Sequence, residues 1–165
     1  AAAYKHVPLV EENICEGVKN NVFGTLAVAK ASVAKKVSNF VLISSDKAVR
    51  PTNIMGASKR LAELCVQGIY NNAKIINTNM GESVKIKDLI YKMINLSGFS
   101  VKDDKNHFGD IEIKITGLRP GEKLYEELLI GDNPQKTNHS RIYKTSDPFI
   151  PFEELKIDLK TLKIL

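Results

Sequence analysis

Several features that often define a small protein are scarce or missing in this 165-residue chain. It has no tryptophan, two cysteines, three histidines and four arginines among its 24 basic residues. Cys15 and Cys65 are too few for a disulfide framework or a four-cysteine zinc site, so we expect two reduced thiols. The histidines lie far apart in the sequence, and we predict no metal site. No run reaches the ~18 apolar residues that span a membrane, and we identify no signal peptide.

The charge balance is informative through its distribution. The net charge is +5 and the sequence pI is about 9.1. Residues 1–76 hold ten basic and five acidic side chains, whereas residues 77–165 hold fourteen of each. No dense basic run occurs, so we expect no nucleic-acid partner. A small anionic ligand such as a nucleotide fits the same excess, and each arginine is a candidate partner for its phosphates.

The hydrophobic pattern indicates alternating helices and strands. Apolar residues at spacings of three and four predict a helix over residues 11–34, and the apolar run 39–43 predicts a strand buried on both faces. Thr52 or Asn53 can cap a second helix. This order predicts an α/β fold with a doubly wound parallel sheet.

The second half of the chain is less regular. Its pattern predicts helices over residues 86–96, 124–130 and 152–165, and extended segments over 74–77, 111–115 and 141–145. A turn with a Pro-Gly pair separates two of these elements at residues 119–123.

Three short segments carry side chains suited to chemistry. Ser45–Lys47 follows the predicted strand, where ligands bind in parallel sheets, and combines a hydroxyl, a carboxyl and an amine. Met55 and Lys59 lie one helical turn apart, and Gly56 between them indicates a close approach by a cofactor or a strand. The turn Arg119–Lys123 presents a guanidinium and a carboxylate that suit a diphosphate and a sugar hydroxyl. Each segment, taken alone, also fits an ordinary turn or helix surface.

In combination these segments are much more specific. The stretches that carry a family resemblance are Ala1–Glu11, Asn20–Thr25, Phe40–Val49, Pro51–Glu63, Met80–Ile94 and Thr116–Leu128. Together they closely resemble the polysaccharide-biosynthesis (CapD-like) nucleotide-sugar 4,6-dehydratases of the extended short-chain dehydrogenase/reductase superfamily. The nearest similarity is to the configuration-retaining UDP-N-acetylglucosamine 4,6-dehydratases of bacterial glycan pathways.

The resemblance implies a reaction that uses tightly held NAD. Hydride leaves C4 of the sugar, a base removes the C5 proton, an acid assists loss of the C6 hydroxyl, and hydride returns to C6. By position, Asp46 would be the acid, Lys47 the base and Ser45 a hydrogen-bonding helper. Met55 replaces the tyrosine that many superfamily members carry, as it does in the branch that this chain resembles.

The resemblance also implies binding residues. Lys59 would hold the nicotinamide ribose, and Ala2, Ala3 and Asn21 would line the cofactor site. Lys5 and His6 would lie near the sugar, Arg119 would bind the UDP phosphates, and Glu122 would bind the uridine ribose.

Relative to the family, we expect a truncated and internally deleted chain. Residues 1–76 correspond to the second half of an NAD-binding Rossmann-like domain, and residues 77–165 to part of a small α/β substrate domain, with a splice near Asn71–Asn79. The family's glycine-rich motif is absent, so we expect that this chain is not a self-sufficient enzyme. We expect a cytoplasmic protein, with any membrane attachment made by segments absent here. A related epimerase, a non-catalytic nucleotide-sugar-binding module and a homo-oligomerisation module stay open as alternatives.

Overall fold

The computed structural model describes residues 2–70, 75–78, 81, 84–119, 121–123, 134–145 and 150–164. The chain divides into two compact units. The first unit comprises Ala1–Asn79 and Leu118–Leu165, and the second comprises Met80–Gly117. The predicted helix over 124–130 lies outside the described residues.

The first unit begins with a series of short helices. They are α1 (Val7–Glu12), α2 (Ile14–Val18), a π-helical segment (Lys19–Gly24) and α3 (Thr25–Ala34). The prediction of one continuous helix over 11–34 is therefore wrong in detail. Helix formation starts earlier, where His6 Nδ1 accepts a bond from the Leu9 N–H at 3.4 Å. It is interrupted at Asn13, whose φ of −132° and ψ of 57° lie outside the helical range.

Helix α4 (Ile54–Ile69) is the central element of the first unit. Asn53 caps it as predicted, since its Oδ1 accepts a bond from the Gly56 N–H at 2.7 Å. A second cap comes from α1, where Glu11 Oε1 accepts a bond from the Ile54 N–H at 2.5 Å. The carboxylate at this helix start also favourably faces the positive end of the helix dipole.

The main core lies between the π-helical segment, α3, α4 and the terminal helix. Its fully packed members are Val22, Leu26, Cys65, Leu155 and Leu159. The last two belong to a helix over Phe152–Ile164, which agrees with the predicted terminal helix.

The described residues contain five short strands. They are β1 (Ile75–Thr78), β2 (Val101–Lys102), β3 (Ile111–Glu112), β4 (Gln135–Lys136) and β5 (Ile142–Thr145). In the first unit β5 pairs antiparallel with both β1 and β4, with Ile75 opposite Thr145. The extended segments predicted around 74–77 and 141–145 are confirmed.

The second unit contains α5 (Ile86–Leu96), with the predicted bounds, and the parallel pair β2–β3. Of the predicted strand 111–115, only Ile111–Glu112 forms. Asp110 precedes it, and its Oδ2 accepts bonds from Ser100 N–H at 2.8 Å and Ser100 Oγ at 2.7 Å. These bonds stabilise the carboxylate and lower the pKa of Asp110.

The α/β class is confirmed, but one predicted strand is not formed. Residues 40–45 pair with no strand among the described residues, and Val41 and Ile43 are 81% and 82% exposed. The prediction of a strand buried on both faces is therefore wrong here, because no neighbouring strand or helix covers those side chains. The Phe40 ring does pack, since it stacks on Tyr70 at 5.6 Å between ring centroids.

Candidate functional site

The three predicted catalytic side chains of Ser45–Lys47 form one hydrogen-bonded group. A 3₁₀ turn over Asp46–Ala48 follows the extended segment, and Ser45 Oγ caps it by accepting the Lys47 N–H at 3.2 Å. The same hydroxyl donates to Asp46 Oδ1 at 3.0 Å, and Lys47 Nζ donates to Asp46 Oδ2 at 3.4 Å. Both charged side chains are partly shielded from solvent. A hydroxyl, a carboxyl and an amine are thus held side by side.

The turn packs directly on α4 at Gly56. A Cβ atom added to Gly56 would lie 2.2 Å from the Lys47 carbonyl oxygen, which is far inside van der Waals contact. The sequence predicted a close approach by a cofactor or a strand at this glycine. The structure shows that the approaching group is the backbone of the 3₁₀ turn itself.

Met55 and Lys59 occupy different environments on α4. Met55 is 2% exposed and packs with Val7 and Val10, so it anchors α1 to α4. Lys59 is partly buried, and its Nζ lies 3.4 Å from the carbonyl oxygen of Ile43. Burial lowers the pKa of the Lys59 ammonium, and the negative charge of Glu63 partly offsets that effect.

Asn21 is buried in the π-helical segment and connects three parts of the unit. Its Oδ1 accepts the Tyr4 N–H at 2.7 Å, and its Nδ2 donates to the Tyr4 carbonyl at 2.9 Å. The Nδ2 group also donates to Ser58 Oγ at 3.0 Å, which in turn donates to the Met55 carbonyl at 2.8 Å. Single-turn π-helical insertions in α-helices are common at functional sites.

The loop that Asn21 holds carries four of the predicted binding residues. Lys5 and His6 are exposed, although the His6 Nδ1 atom already caps α1. Ala2 is exposed and Ala3 is partly buried. The Ala2 carbonyl accepts a bond from Asn20 Nδ2 at 3.1 Å. Neighbouring asparagines of one helical segment therefore fix the path of this loop.

The turn at 119–123 lies in the same unit and docks on α4. Glu122 Oε2 accepts the Arg119 N–H at 2.9 Å, while both side chains stay exposed. Gly121 has a φ of +80°, which favours glycine. Its carbonyl accepts bonds from Asn53 Nδ2 at 2.8 Å and Thr52 Oγ1 at 3.3 Å.

Two residues for which the sequence predicted no role connect these turns and helices. Lys123 Nζ donates to the Val49 carbonyl at 2.6 Å, immediately after the 3₁₀ turn. Glu11 caps α4 from α1. Neither contact has a local sequence signal, because the partners are 74 and 43 residues apart.

Within the described ranges, no group of three or more His, Cys, Asp or Glu side chains is arranged to hold a metal ion. No helix within those ranges is long and apolar enough to cross a bilayer.

The geometry is that of an α/β protein whose polar turns meet at the start of one helix. The family model described as "Polysaccharide biosynthesis protein" matches residues 1–78 and 67–147. The chain belongs to this family, which confirms the resemblance to nucleotide-sugar dehydratases of polysaccharide biosynthesis.

Three relatives illustrate the match. The chain is 34% identical to the probable polysaccharide biosynthesis protein EpsC of Bacillus subtilis, over 78% of this chain and 31% of EpsC. It is 32% identical to the capsular polysaccharide biosynthesis protein CapD of Staphylococcus aureus, over 87% of this chain and 33% of CapD. It is 26% identical to an inverting UDP-N-acetylglucosamine 4,6-dehydratase of Campylobacter jejuni, over 92% of this chain and 61% of that enzyme.

These alignments also bear on the predicted splice. The chain spans about a third of the length of EpsC and CapD. The alignments extend over 193 and 209 residues, which exceeds the 165 residues of the chain, so the relatives carry residues that this chain lacks. The two family matches overlap at residues 67–78, and the splice near Asn71–Asn79 stays a prediction.

A solved structure supports the fold. The X-ray structure of Pen from Bacillus thuringiensis matches with a TM-score of 0.66 and 25% identity, over 100% of this chain and 75% of that one.

Proposed function

We propose that this chain carries the proton-transfer and nucleotide-binding face of a UDP-N-acetylglucosamine 4,6-dehydratase. One observation carries the proposal. The backbones of the Ser45–Lys47 turn and of the 119–123 turn, which are more than 70 residues apart, both contact the N-terminus of α4, at Gly56 and at Asn53. An acid–base pair and an anion-binding turn on one helix end suit a nucleotide-linked substrate.

The elimination requires one group that accepts a proton and one that donates a proton, and the Asp46–Lys47 pair can supply both. A carboxylate beside an ammonium and a carboxylic acid beside an amine differ only in the position of one proton. In the second form Lys47 Nζ can accept the C5 proton, and Asp46 can donate its proton to the departing C6 hydroxyl. Ser45 Oγ, which donates to Asp46 Oδ1, would orient that carboxyl group.

The cofactor would be NAD, which when bound accepts hydride from C4 and returns it to C6. The residues of this chain fit one end of such a dinucleotide. Lys59 is partly buried beside the Ile43 carbonyl, where its ammonium could donate to ribose hydroxyls. Ala2, Ala3 and Asn21 are proposed to border that site. The chain has no Gly-x-Gly-x-x-Gly sequence to hold the diphosphate, so we propose weak cofactor binding by the chain alone.

The substrate would be oriented by exposed side chains around this helix end. We propose that Arg119 binds the UDP phosphates, that Glu122 accepts bonds from the uridine ribose, and that Lys5 and His6 approach the sugar. The proposed location is the cytoplasm, since the two cysteines are unpaired thiols.

The experiment incubates the 165-residue chain in deuterated water with UDP-N-acetylglucosamine and a large excess of NAD, which compensates for weak cofactor binding by this chain. Mass spectrometry and NMR then identify any product. A dehydratase yields a product that has lost one water and carries solvent deuterium at C5. NMR of C5 also tests retention against inversion, which stays a prediction because the Campylobacter relative is named as inverting. Lys47→Met and Asp46→Asn should abolish the product.

Substrate binding is tested separately by calorimetry with UDP. Arg119→Ala should weaken UDP binding about tenfold or more, because a charge-assisted bond to phosphate is lost. The matched control is Arg141→Ala, which removes another exposed arginine of the same unit and should leave affinity unchanged.

The alternatives give different outcomes. A product of unchanged mass with altered C4 configuration would indicate an epimerase. UDP binding without any product would indicate a non-catalytic nucleotide-sugar-binding module. The absence of both binding and product would contradict the proposed function.

A further inference from the structure

We propose that Lys123 is a positioning residue that couples the nucleotide-binding turn to the acid–base turn. The ammonium of Lys123 is half-buried and donates to the carbonyl of Val49 at 2.6 Å. Val49 is itself buried, and its N–H donates to the Asp46 carbonyl at 3.0 Å. One residue therefore joins Lys123 to the bond that closes the Asp46–Ala48 turn.

The chemistry of this contact favours a strong link. A bond from an ammonium to a carbonyl is charge-assisted, and such bonds are shorter and stronger than neutral ones. Partial exclusion of water strengthens it further. This bond fixes the flexible Lys123 side chain on one carbonyl of the loop that precedes α4.

A second contact holds the same turn from the other side. Gly121 accepts a bond from Asn53, and Asn53 also caps α4 by accepting the Gly56 N–H. Gly56 packs against the Lys47 carbonyl. The two residues that flank Glu122 are thus both linked to the acid–base turn, Lys123 through Val49, and Gly121 through Asn53 and Gly56. Displacement of one turn should therefore strain the contacts of the other.

The mechanical link between Lys123 and Val49 stands on the geometry alone. Its use in signalling that UDP is bound at Arg119 and Glu122 rests on the proposed function. Binding of UDP to that turn would then reduce local opening at Asp46–Val49.

Hydrogen exchange followed by mass spectrometry tests the link without any ligand. In Lys123→Met, amides of residues 46–49 should exchange about tenfold faster, since one charge-assisted bond that opposes local opening is lost. Lys123→Arg keeps a donor and should restore most of the protection. Lys136→Met removes an exposed lysine of the same unit and should change nothing. Unaltered exchange in Lys123→Met would overturn the link. If Lys123→Met fails to fold, Lys123→Ala, which also removes the donor, is measured in its place with the same two outcomes.

Exchange at saturating UDP tests the coupling. In the unmodified chain UDP should slow exchange at residues 46–49, and in Lys123→Met this slowing should be lost while Lys123→Arg retains it. Equal slowing in Lys123→Met would overturn the coupling. Failure of UDP to bind the unmodified chain would contradict the proposed function instead, and the ligand-free comparison would still decide the link.

Discussion

Asn21 shows how one buried amide can replace a neighbouring strand. Its side chain pairs with both the N–H and the carbonyl of Tyr4, as a strand partner would, and reaches Ser58 as well. An asparagine offers two donors and an acceptor in one plane, so few other side chains could satisfy these groups together. The role near the cofactor, implied by the family resemblance, stays a prediction. The geometry adds a structural role, which is to hold the Ala2–His6 loop.

Replacement of this amide should therefore destabilise the first unit. Asn21 is 1% exposed, and Asn21→Ala would leave the Tyr4 backbone groups without their partner. We expect a loss of about 1–3 kcal/mol in the free energy of unfolding, measured by chemical denaturation. Asn95→Ala, at an exposed position of α5, should change it by less than about 0.5 kcal/mol. Equal effects from both variants would contradict the structural role.

The two cysteines should differ sharply in reactivity. Cys65 lies in the main core, and burial raises the pKa of its thiol to about 11, although the charge of Lys30 opposes this. Cys15 is exposed. Because the thiolate is the reactive form, iodoacetamide at pH 8 should modify Cys15 and spare Cys65 until denaturant is added. Peptide mass mapping measures both sites, and Cys15→Ser should leave almost no native reactivity. Rapid native modification of Cys65 would show that the core is open.

At the scale of elements, α4 organises the site. At its start, Glu11 of α1 and Asn53 of the preceding loop accept bonds from backbone N–H groups of the helix. Asn53 also donates a bond to the Gly121 carbonyl, which attaches the 119–123 turn. The sequence correctly predicted the cap and the helix because both depend on neighbouring residues. It did not predict the contacts of Glu11 with Ile54 or of Lys123 with Val49. These partners are 43 and 74 residues apart in the sequence, so their contacts depend on the tertiary fold.

Gly56 offers a direct test of the packing between α4 and the acid–base turn. In Gly56→Ala the new Cβ would overlap the Lys47 carbonyl, and a backbone atom cannot move away cheaply. We expect a destabilisation of about 1–3 kcal/mol, measured by thermal and chemical unfolding.

The matched control makes the same substitution where space exists. The Cβ of Gly24→Ala would lie 4.0 Å from its nearest neighbour, the Lys19 carbonyl. This variant should be neutral or more stable by up to about 1 kcal/mol, because alanine favours helical backbone. A Gly56→Ala variant as stable as Gly24→Ala would mean that the turn and helix are less tightly packed.

At the scale of the whole molecule, local periodicity predicted elements better than it predicted burial. The bounds of α5 and the start of α4 were correct, because the apolar spacing and the cap lie within the elements. The run 39–43 reads as a buried strand, yet burial requires partners from elsewhere in the fold. Residues 40–45 pair with no strand in the part of the chain that the structure describes, and the relatives align with residues that this chain lacks.

The exposed run should make the protein prone to self-association. Val41 and Ile43 are apolar, β-branched and more than four-fifths exposed. An exposed apolar segment with high β-propensity favours strand pairing between copies. Val41→Lys with Ile43→Lys should reduce the concentration-dependent increase in mass seen by light scattering. The unfolding midpoint should stay unchanged, because neither side chain is packed. Val28→Lys with Val37→Lys adds the same charge at half-exposed positions outside the run and should reduce association less. Association that is equally suppressed by both pairs would reflect net charge alone, and association that persists in the first pair would place the contact elsewhere on the surface.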